Sequence, residues 1–353
     1  MNKKIKVAVI YNEAYPELYQ YKTDLKESKL DFVPYFEVDN ITPMDEYEDL
    51  VNRLKEEGFD AYSLNIVDDF KLLINNLEKE KPDVIFNFVE IYLNDAKLEM
   101  NIAGIYEILG IPYTGASPMG LANCQSKVLT KRILSSNKIK TADFFLVNEI
   151  QKSYRHKLKY PLIVKPAFED ASVGIENASV VKNYKLLKER IEHVILQYKQ
   201  PALVEEFIEG RELNVAIIGD INPDVLPISE IDFSEMPEHL ANIVSYQAKW
   251  DPLNEAYHKT IPICPAPLND ELRIKVEETA LAAFKLMGAR DYSRVDIRLT
   301  KDDEVYVLEV NPNPDLTEGA GFMRSTETAG YTYNQTLVKI VSFALARAGK
   351  IMR

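Results

Sequence analysis

The sequence predicts an α/β chain, with an open parallel α/β domain in its N-terminal part and an α+β arrangement in its C-terminal half. Three observations predict it. Residues 4–10 end in a continuous apolar run, as a strand covered on both faces does. Behind them, short apolar runs alternate with helix-period segments through the first third. Further on the strands crowd together, first in a β-rich middle segment and then around one long helix. A chain of 353 residues with 46% hydrophobic content can bury more than one core, because above about 250–300 residues chains usually divide. The expected domains are 1–121, 122–213 and 214–353.

In order, residues 4–10 read as the first parallel strand. Tyr47, Leu50, Val51 and Leu54 then recur at helical spacing and stop before Gly58, which can take the left-handed conformation that ends a helix. Residues 61–67 and 84–89 read as strands, and 69–81 and 98–109 as helices, the last closed by Gly110. One lysine-rich helix is expected over 124–137. Strands at 161–166 and 202–207 flank a helix at 184–197; strands at 214–218, 293–299 and 305–310 accompany helices at 270–287 and 334–348. Residues 233–262 carry few regular signals and read as a functional loop.

Composition excludes several classes of function. With 42 Lys and Arg against 55 Asp and Glu, the formal charge of -13 leaves no broad basic field for a nucleic acid. No stretch approaches the roughly 18 apolar residues of a membrane span. Cys124 and Cys264 lie apart from each other and from any histidine at metal-ligand spacing, so neither a disulfide framework nor a zinc site is expected. The chain reads as a reduced, cytoplasmic protein without a membrane or nucleic-acid partner. None of His156, His193, His239 and His258 stands in a triad-like setting.

The segment most suggestive of chemistry is Arg294-Val-Asp296 followed by Leu308-Glu-Val-Asn311. On a strand, side chains two apart share a face, so Glu309 and Asn311 do. Asp296, Glu309 and Asn311 offer only oxygen donors, which suits a hard Mg2+ ion that takes its other ligands from water and nucleotide phosphates. Mn2+ accepts the same oxygen set. The plainer alternative is the wet face of a hairpin, but Pro312 and Pro314 follow at once, a specific end that an ordinary surface strand does not need.

From about residue 84 onward the chain resembles the D-alanine-D-alanine ligases of the ATP-grasp superfamily. The resemblance rests on the order of six motifs: Lys127, Lys165-Pro166, Glu205-Glu-Phe-Ile208, Lys249, Arg294-Val-Asp296 and Glu309-Val-Asn311. It implies an ATP-grasp fold behind an N-terminal pre-ATP-grasp domain, with an adenine hinge in 122–213 and a Mg2+ site and lid loop in 214–353. It implies ATP as cosubstrate, with Lys127 and Lys165 on the phosphates and Val164, Phe207 and Ile208 lining the adenine slot. Glu205 would accept from the adenine amino group and Glu212 from the ribose hydroxyls. Glu169-Asp-Ala-Ser-Val-Gly174 is similar to the family's small-residue phosphate loop, with Ser172 as its hydroxyl, and Tyr246-Gln-Ala-Lys-Trp250 to its lid, with Lys249 reaching the phosphates on closure. Trp250 stands where tyrosine is common, and its plainer role is packing under the loop.

The implied activity is that of an ADP-forming ligase joining a carboxylate to an amine through an acyl phosphate, on small amino-acid or peptide-like substrates, with a homodimer left open. Arg294 would hold the acyl-phosphate oxygen and then the tetrahedral oxyanion. The chain departs from the family at the substrate end. Tyr11-Asn-Glu-Ala-Tyr-Pro-Glu17 replaces a Gly-Gly-x-Ser-x-Glu turn, Asn87-Phe-Val-Glu90 replaces a His-Gly pair, and Asn313-Pro-Asp315 with Glu318-Gly-Ala-Gly321 replaces a glycine and serine. Glu13 or Glu17 could stand in for the first turn's glutamate, with Glu90 near by. Added carboxylates such as Asp315 repel a small anionic acceptor and favour a cationic or larger one, with Arg324 available for a more distant carboxylate. A substrate pair other than two D-alanines is therefore expected. The competing expectations are a D-alanine-D-alanine ligase proper, an ATP-grasp enzyme with a thiol or phosphorylated-amine acceptor, and an ATP-binding regulatory module without turnover.

Overall fold

The computed structural model describes residues 4–16, 42–169, 172–251 and 254–349, and of Trp250 only the backbone. The first sheet has the parallel order β2-β1-β3, from β1 (Lys6–Tyr11), β2 (Asp60–Asn65) and β3 (Val84–Phe88). Its strands alternate between two cores, as period-2 side chains must. Ala8, Ile10 and Ile85 face α2 (Phe70–Glu80) and α3 (Glu99–Leu109), while Val7, Val9, Val84 and Phe86 face α1 (Pro43–Glu56) and a helix from the far end of the chain. Thr42 and Asp45 form a reciprocal capping box that starts α1, and Gly110, left-handed at φ 66°, ends α3.

The expected single helix over 124–137 is two helices, α4 (Pro118–Gln125) and α5 (Lys127–Ser136). Ser126 breaks the run: its backbone is extended, with φ −82° and ψ 96°, and its hydroxyl accepts from the Leu129 N-H as an N-cap. Lys127 is thereby placed in the first turn of a helix rather than in the middle of one.

The second sheet runs β4-β7-β5-β6, from β4 (Phe144–Val147), β5 (Leu162–Pro166), β6 (Val180–Val181) and β7 (Ala202–Glu206), all antiparallel neighbours. Leu162, Val164, Ala202 and Val204 bury one face under α6 (Tyr184–Tyr198). Alternation turns Lys165 and Glu205 to the other face. This corrects one expectation: Val164 lies in the core beneath α6 with Leu187, Ile191 and Val194, and so on the face of β5 opposite Lys165.

The third sheet has the path β11-β10-β8-β12-β13, from β8 (Arg211–Gly219), β9 (Asp224–Val225), β10 (Ser229–Asp232), β11 (Ile261–Ile263), β12 (Asp291–Leu299) and β13 (Val305–Asn311), with β9 pairing off the path with β8. Residues 233–262, expected as an irregular loop, contain the short helices α7 (Tyr246–Trp250) and α8 (Glu255–His258) and the start of β11; Ser245 and Asn254 cap the two helices. The helix α9 (Asp270–Met287) covers one face of this sheet, α10 (Gly321–Thr328) lies against β8 and β10, and α11 (Tyr333–Arg347) crosses to the first sheet. No disulfide joins Cys124 and Cys264. No described helix is long and apolar enough to cross a membrane.

Candidate active site

Strand alternation builds the site. On β8 and β12, Leu213, Val215, Ile217, Val295, Ile297 and Leu299 pack against α9. The intervening residues face the other way: Glu212 and Asn214 on β8, and Arg294, Asp296 and Arg298 on β12. Antiparallel register sets Asp296 opposite Asn214 on one side and Glu309 on the other, Arg294 opposite Asn311, and Arg298 opposite Glu212. A bulge between Asp296 and Ile297 shifts the register on β13, so that Glu309 and Asn311 both fall beside this polar row.

Asp296 is the hub. Arg294 forks onto it, Nε donating at 2.7 Å and Nη2 at 2.8 Å, and the amides of Asn214 and Asn311 donate at 2.8 and 3.1 Å. Burial pushes the Asp296 carboxyl up and Arg294 works against that. Arg298 pairs with Glu212 at 2.6 Å, where burial again pushes the carboxyl up against the guanidinium.

A second wall comes from the central segment. Lys165 Nζ lies 3.0 Å from Glu205 Oε2, and Lys131, one helical turn beyond Lys127, lies 3.4 Å from Glu205 Oε1 and donates to Thr141 at 2.8 Å. Lys131 is almost wholly buried, which pulls its ammonium down to about 8 despite Glu205. Glu205 stays ionised: burial opposes its charge, and the two lysines outweigh it. Its Oε1 is buried without a well-formed hydrogen bond among the described residues. Phe207 and Ile208 follow at the rim, partly exposed.

Glu309 joins the two walls. Its side chain is 36% exposed, with Lys127 Nζ 3.9 Å from Oε2. Desolvation by the surrounding protein works against its charge, yet Lys127, Lys165, Arg294 and Lys249 together hold the carboxyl below its ordinary range. Lys127 also donates to the Glu169 carbonyl. Lys249 is partly buried on α7; burial and Arg294 draw its ammonium down, and Asp315, Glu309 and Asp296 oppose that. Ser172, left-handed at φ 63°, donates its hydroxyl to the Val244 carbonyl at 2.9 Å, so this loop and the segment before α7 are joined. Asp170 and Ala171 lie outside the described residues.

A third group gathers at the C-terminal ends of β1 and β3. Tyr11 and Tyr47 stack with ring centroids 4.1 Å apart, and Phe88 tilts against Tyr47 at 5.2 Å. The Tyr47 hydroxyl is pushed well above its usual range by burial and then by the negative charges of Glu90, Glu13, Asp315 and Glu46. Glu17 lies outside the described residues. Arg324 on α10 donates to the Gly319 carbonyl at 2.7 Å and reaches Ser229, the register partner of Asn214, at 3.5 Å.

Among the described residues no three of His, Cys, Asp or Glu gather as a metal site. Two carboxylates and an amide, in register and ringed by cations, suit an ion that draws further oxygens from phosphate. A hollow of about 30 Å³ lies beside Glu309 and Asn311, so their oxygens face open space. The donor set therefore fits Mg2+. Sequence reading missed Asn214, Lys131 and Arg298. Periodicity points to all three, since Asn214 is two strand positions from Glu212, Arg298 two from Asp296, and Lys131 four helix positions from Lys127.

Residues 130–342 match the family model described as D-ala D-ala ligase C-terminus. The chain belongs to the D-alanine-D-alanine ligase family. Within this family, a D-alanine--D-alanine ligase of Natranaerobius thermophilus is 30% identical over 316 residues, covering 85% of this chain and 81% of that one. Uncharacterized protein y4sG of Sinorhizobium fredii is 30% identical over 285 residues, 78% of this chain and 81% of its own length. In fold, the chain is similar to the crystal structure of a D-alanine--D-alanine ligase from Bacillus anthracis complexed with ATP, with a TM-score of 0.72 at 21% identity over 98% of this chain and 99% of that one. Membership makes this chain an ATP-dependent, ADP-forming ligase of the ATP-grasp fold, in a family that acts on small amino-acid substrates.

Proposed function

We propose that this ligase joins a carboxylate to an acceptor amine that carries an additional positive group, rather than two molecules of D-alanine. One observation carries the reading: the charges of Glu90, Glu13, Asp315 and Glu46 act together on Tyr47, whose ring stacks on Tyr11 and meets Phe88. Aromatic faces and carboxylates together suit an ammonium or guanidinium group and repel a lone carboxylate. The names of several relatives support the competing reading, D-alanine as both substrates.

In the reaction, an oxygen of the substrate carboxylate attacks the γ-phosphorus of ATP in line, and the bond to the ADP oxygen breaks. The amine then adds to the acyl carbon, loses a proton, and phosphate leaves. Phosphoryl transfer asks the protein mainly for positioning and charge stabilisation. Lys127 and Lys165 hold the phosphates. Phe207 and Ile208 flank the adenine, Glu205 accepts from its amino group, and Glu212 accepts from the ribose. Arg294 holds the acyl-phosphate oxygen and then the oxyanion. Ser172 stays with the phosphate loop, and Arg324 holds a carboxylate further out. Asp296, Glu309 and Asn311 would hold Mg2+, which when bound neutralises phosphate charge. The division into 1–121, 122–213 and 214–353 follows the same reading, with the nucleotide between the last two.

Competition tests the substrate. With D-alanine and a mixed pool of amino acids and amines supplied together, mass spectrometry is expected to find a condensed product with a cationic acceptor, and Glu90→Gln is expected to lower its yield. D-alanyl-D-alanine as the dominant product, with no better acceptor in the pool, restores the D-alanine reading. A second outcome concerns the lid. Lys249→Ala is expected to lower kcat about 100-fold while changing ATP affinity less than about threefold, because its contact forms on closure. Equilibrium nucleotide binding set beside single-turnover ADP release checks this, and an effect confined to affinity contradicts it.

A further inference from the structure

Arg298 is 3% exposed and lies where three segments meet. Its Nη1 donates to the Gly210 carbonyl at 2.9 Å, and its Nη2 donates at 2.6 Å both to Glu212 Oε2 and to the Asn242 carbonyl. The guanidinium carbon is 5.7 Å from the centre of the Phe207 ring and 5.5 Å from that of Phe233. Gly210, at φ 154°, crosses so close beneath β12 that a Cβ there would come within 2.1 Å of the Leu299 carbonyl, which fixes the carbonyl that Arg298 reads. One planar group thus binds the turn after the hinge, the carboxylate on β8, and the segment that leads into α7.

That segment is held from its other side by the residues that follow the 169–174 loop. The Tyr246 N-H donates to the Ile175 carbonyl at 2.7 Å, the Ala241 N-H to Asn177 Oδ1 at 2.8 Å, and Asn177 Nδ2 to the His239 carbonyl at 3.2 Å. Asn242 lies within this zipped stretch, seven residues before Lys249. Glu212 and the chain that carries Lys249 thus share a single guanidinium.

We propose that Arg298 is a positioning residue that couples ribose recognition to placement of the lid: it holds the Glu212 carboxylate toward the ribose hydroxyls and, through the Asn242 carbonyl, anchors the segment bearing Lys249. The proposal rests on the reading of Glu212 as the ribose acceptor. A guanidinium suits the task because its fork presents several donors in fixed directions, which an ammonium cannot.

Two readouts separate coupling from mere support of the fold. The first is the ratio of kcat/KM for ATP to that for 2′-deoxyATP, which the intact chain is expected to hold at about 10 or more, since a buried carboxylate left without its hydroxyl partner discriminates strongly. The second is tryptic cleavage after Lys249 with a nonhydrolysable ATP analogue bound. Arg298→Met is expected to bring the ratio close to unity and to speed cleavage about tenfold or more, in step with the population of the open lid. Arg298→Lys, which keeps a cation beside Glu212, is expected to keep the ratio and lose the protection, and it serves if the methionine variant does not fold. Unchanged protection in Arg298→Lys, or an unchanged ratio in folded Arg298→Met, overturns the proposal. An intact chain that uses both nucleotides equally, with Glu212→Gln doing the same, removes instead the ribose reading beneath it.

Discussion

Glu309→Gln is expected to reduce ADP release by about a thousandfold or more while the chain still folds, with a melting temperature lowered only modestly. The substitution keeps size and hydrogen-bonding capacity and removes only the charge. Four cations, Lys127, Lys165, Arg294 and Lys249, converge electrostatically on that charge, and they are the groups assigned to the phosphates and the oxyanion. Without it they repel one another, and the oxygen set of Asp296, Glu309 and Asn311 drops to one carboxylate. A surface residue of the same type would tolerate the change within about 0.5 kcal/mol of stability and without loss of turnover. ADP release measured over a Mg2+ titration, beside a thermal melt, decides it. Turnover within a few-fold of the unaltered chain, at any Mg2+ concentration, would falsify the assignment.

Arg294→Lys is expected to lower kcat about 100-fold or more, with KM for ATP changed less than about threefold. The lysine preserves one positive charge but not the fork whose two nitrogens meet Asp296 at 2.7 and 2.8 Å. Bidentate geometry fixes where the guanidinium stands relative to β13, and a flexible ammonium forfeits that direction. The choice of lysine over methionine matters, since removing one partner of a largely buried ion pair costs up to about 3–5 kcal/mol and would obscure a kinetic effect. Trapping of the acyl phosphate with hydroxylamine separates its two tasks: a formation defect appears as less trapped product, and an amine-addition defect as normal trapping with little amide. A normal kcat with a raised KM for ATP would move Arg294 from the reacting centre to the nucleotide.

Much of this architecture is legible in the sequence because it is local or periodic. The continuous apolar run of β1, the helix 270–287 closed by Gly288, and the pairing of Asp296 with Glu309 and Asn311 all follow from spacing. What escapes is set at a distance. Ser126 interrupts a pattern that reads as one helix because its capping role depends on how α4 and α5 turn against each other. Val164 reads as a slot residue until β7 and α6 show which face of β5 is covered. Lys131 and Arg298 look like ordinary surface charges in a charge-rich chain, and only the partner strands reveal them as buried and paired. The substrate end is least legible: the motifs of the family are absent there, and the joint action of the Glu13, Glu90 and Asp315 charges on Tyr47 emerges only when β1, β3 and the turn after β13 meet.

The helix α11 bears on how the chain is made. Leu337, Ile340, Val341 and Ala344 bury the face of the first sheet that α1 leaves uncovered, so strands at one end of the sequence are completed by residues more than three hundred positions later. Such a contact carries a high loop-closure cost and slows folding. During synthesis, at about 5–20 residues per second, Val7 and Val9 wait some tens of seconds for their covering helix. The central sheet with α6 has no such delay, because its strands and helix all fall within residues 144–206. The strands and helix of the central sheet are therefore all synthesised before the helix that completes the N-terminal one.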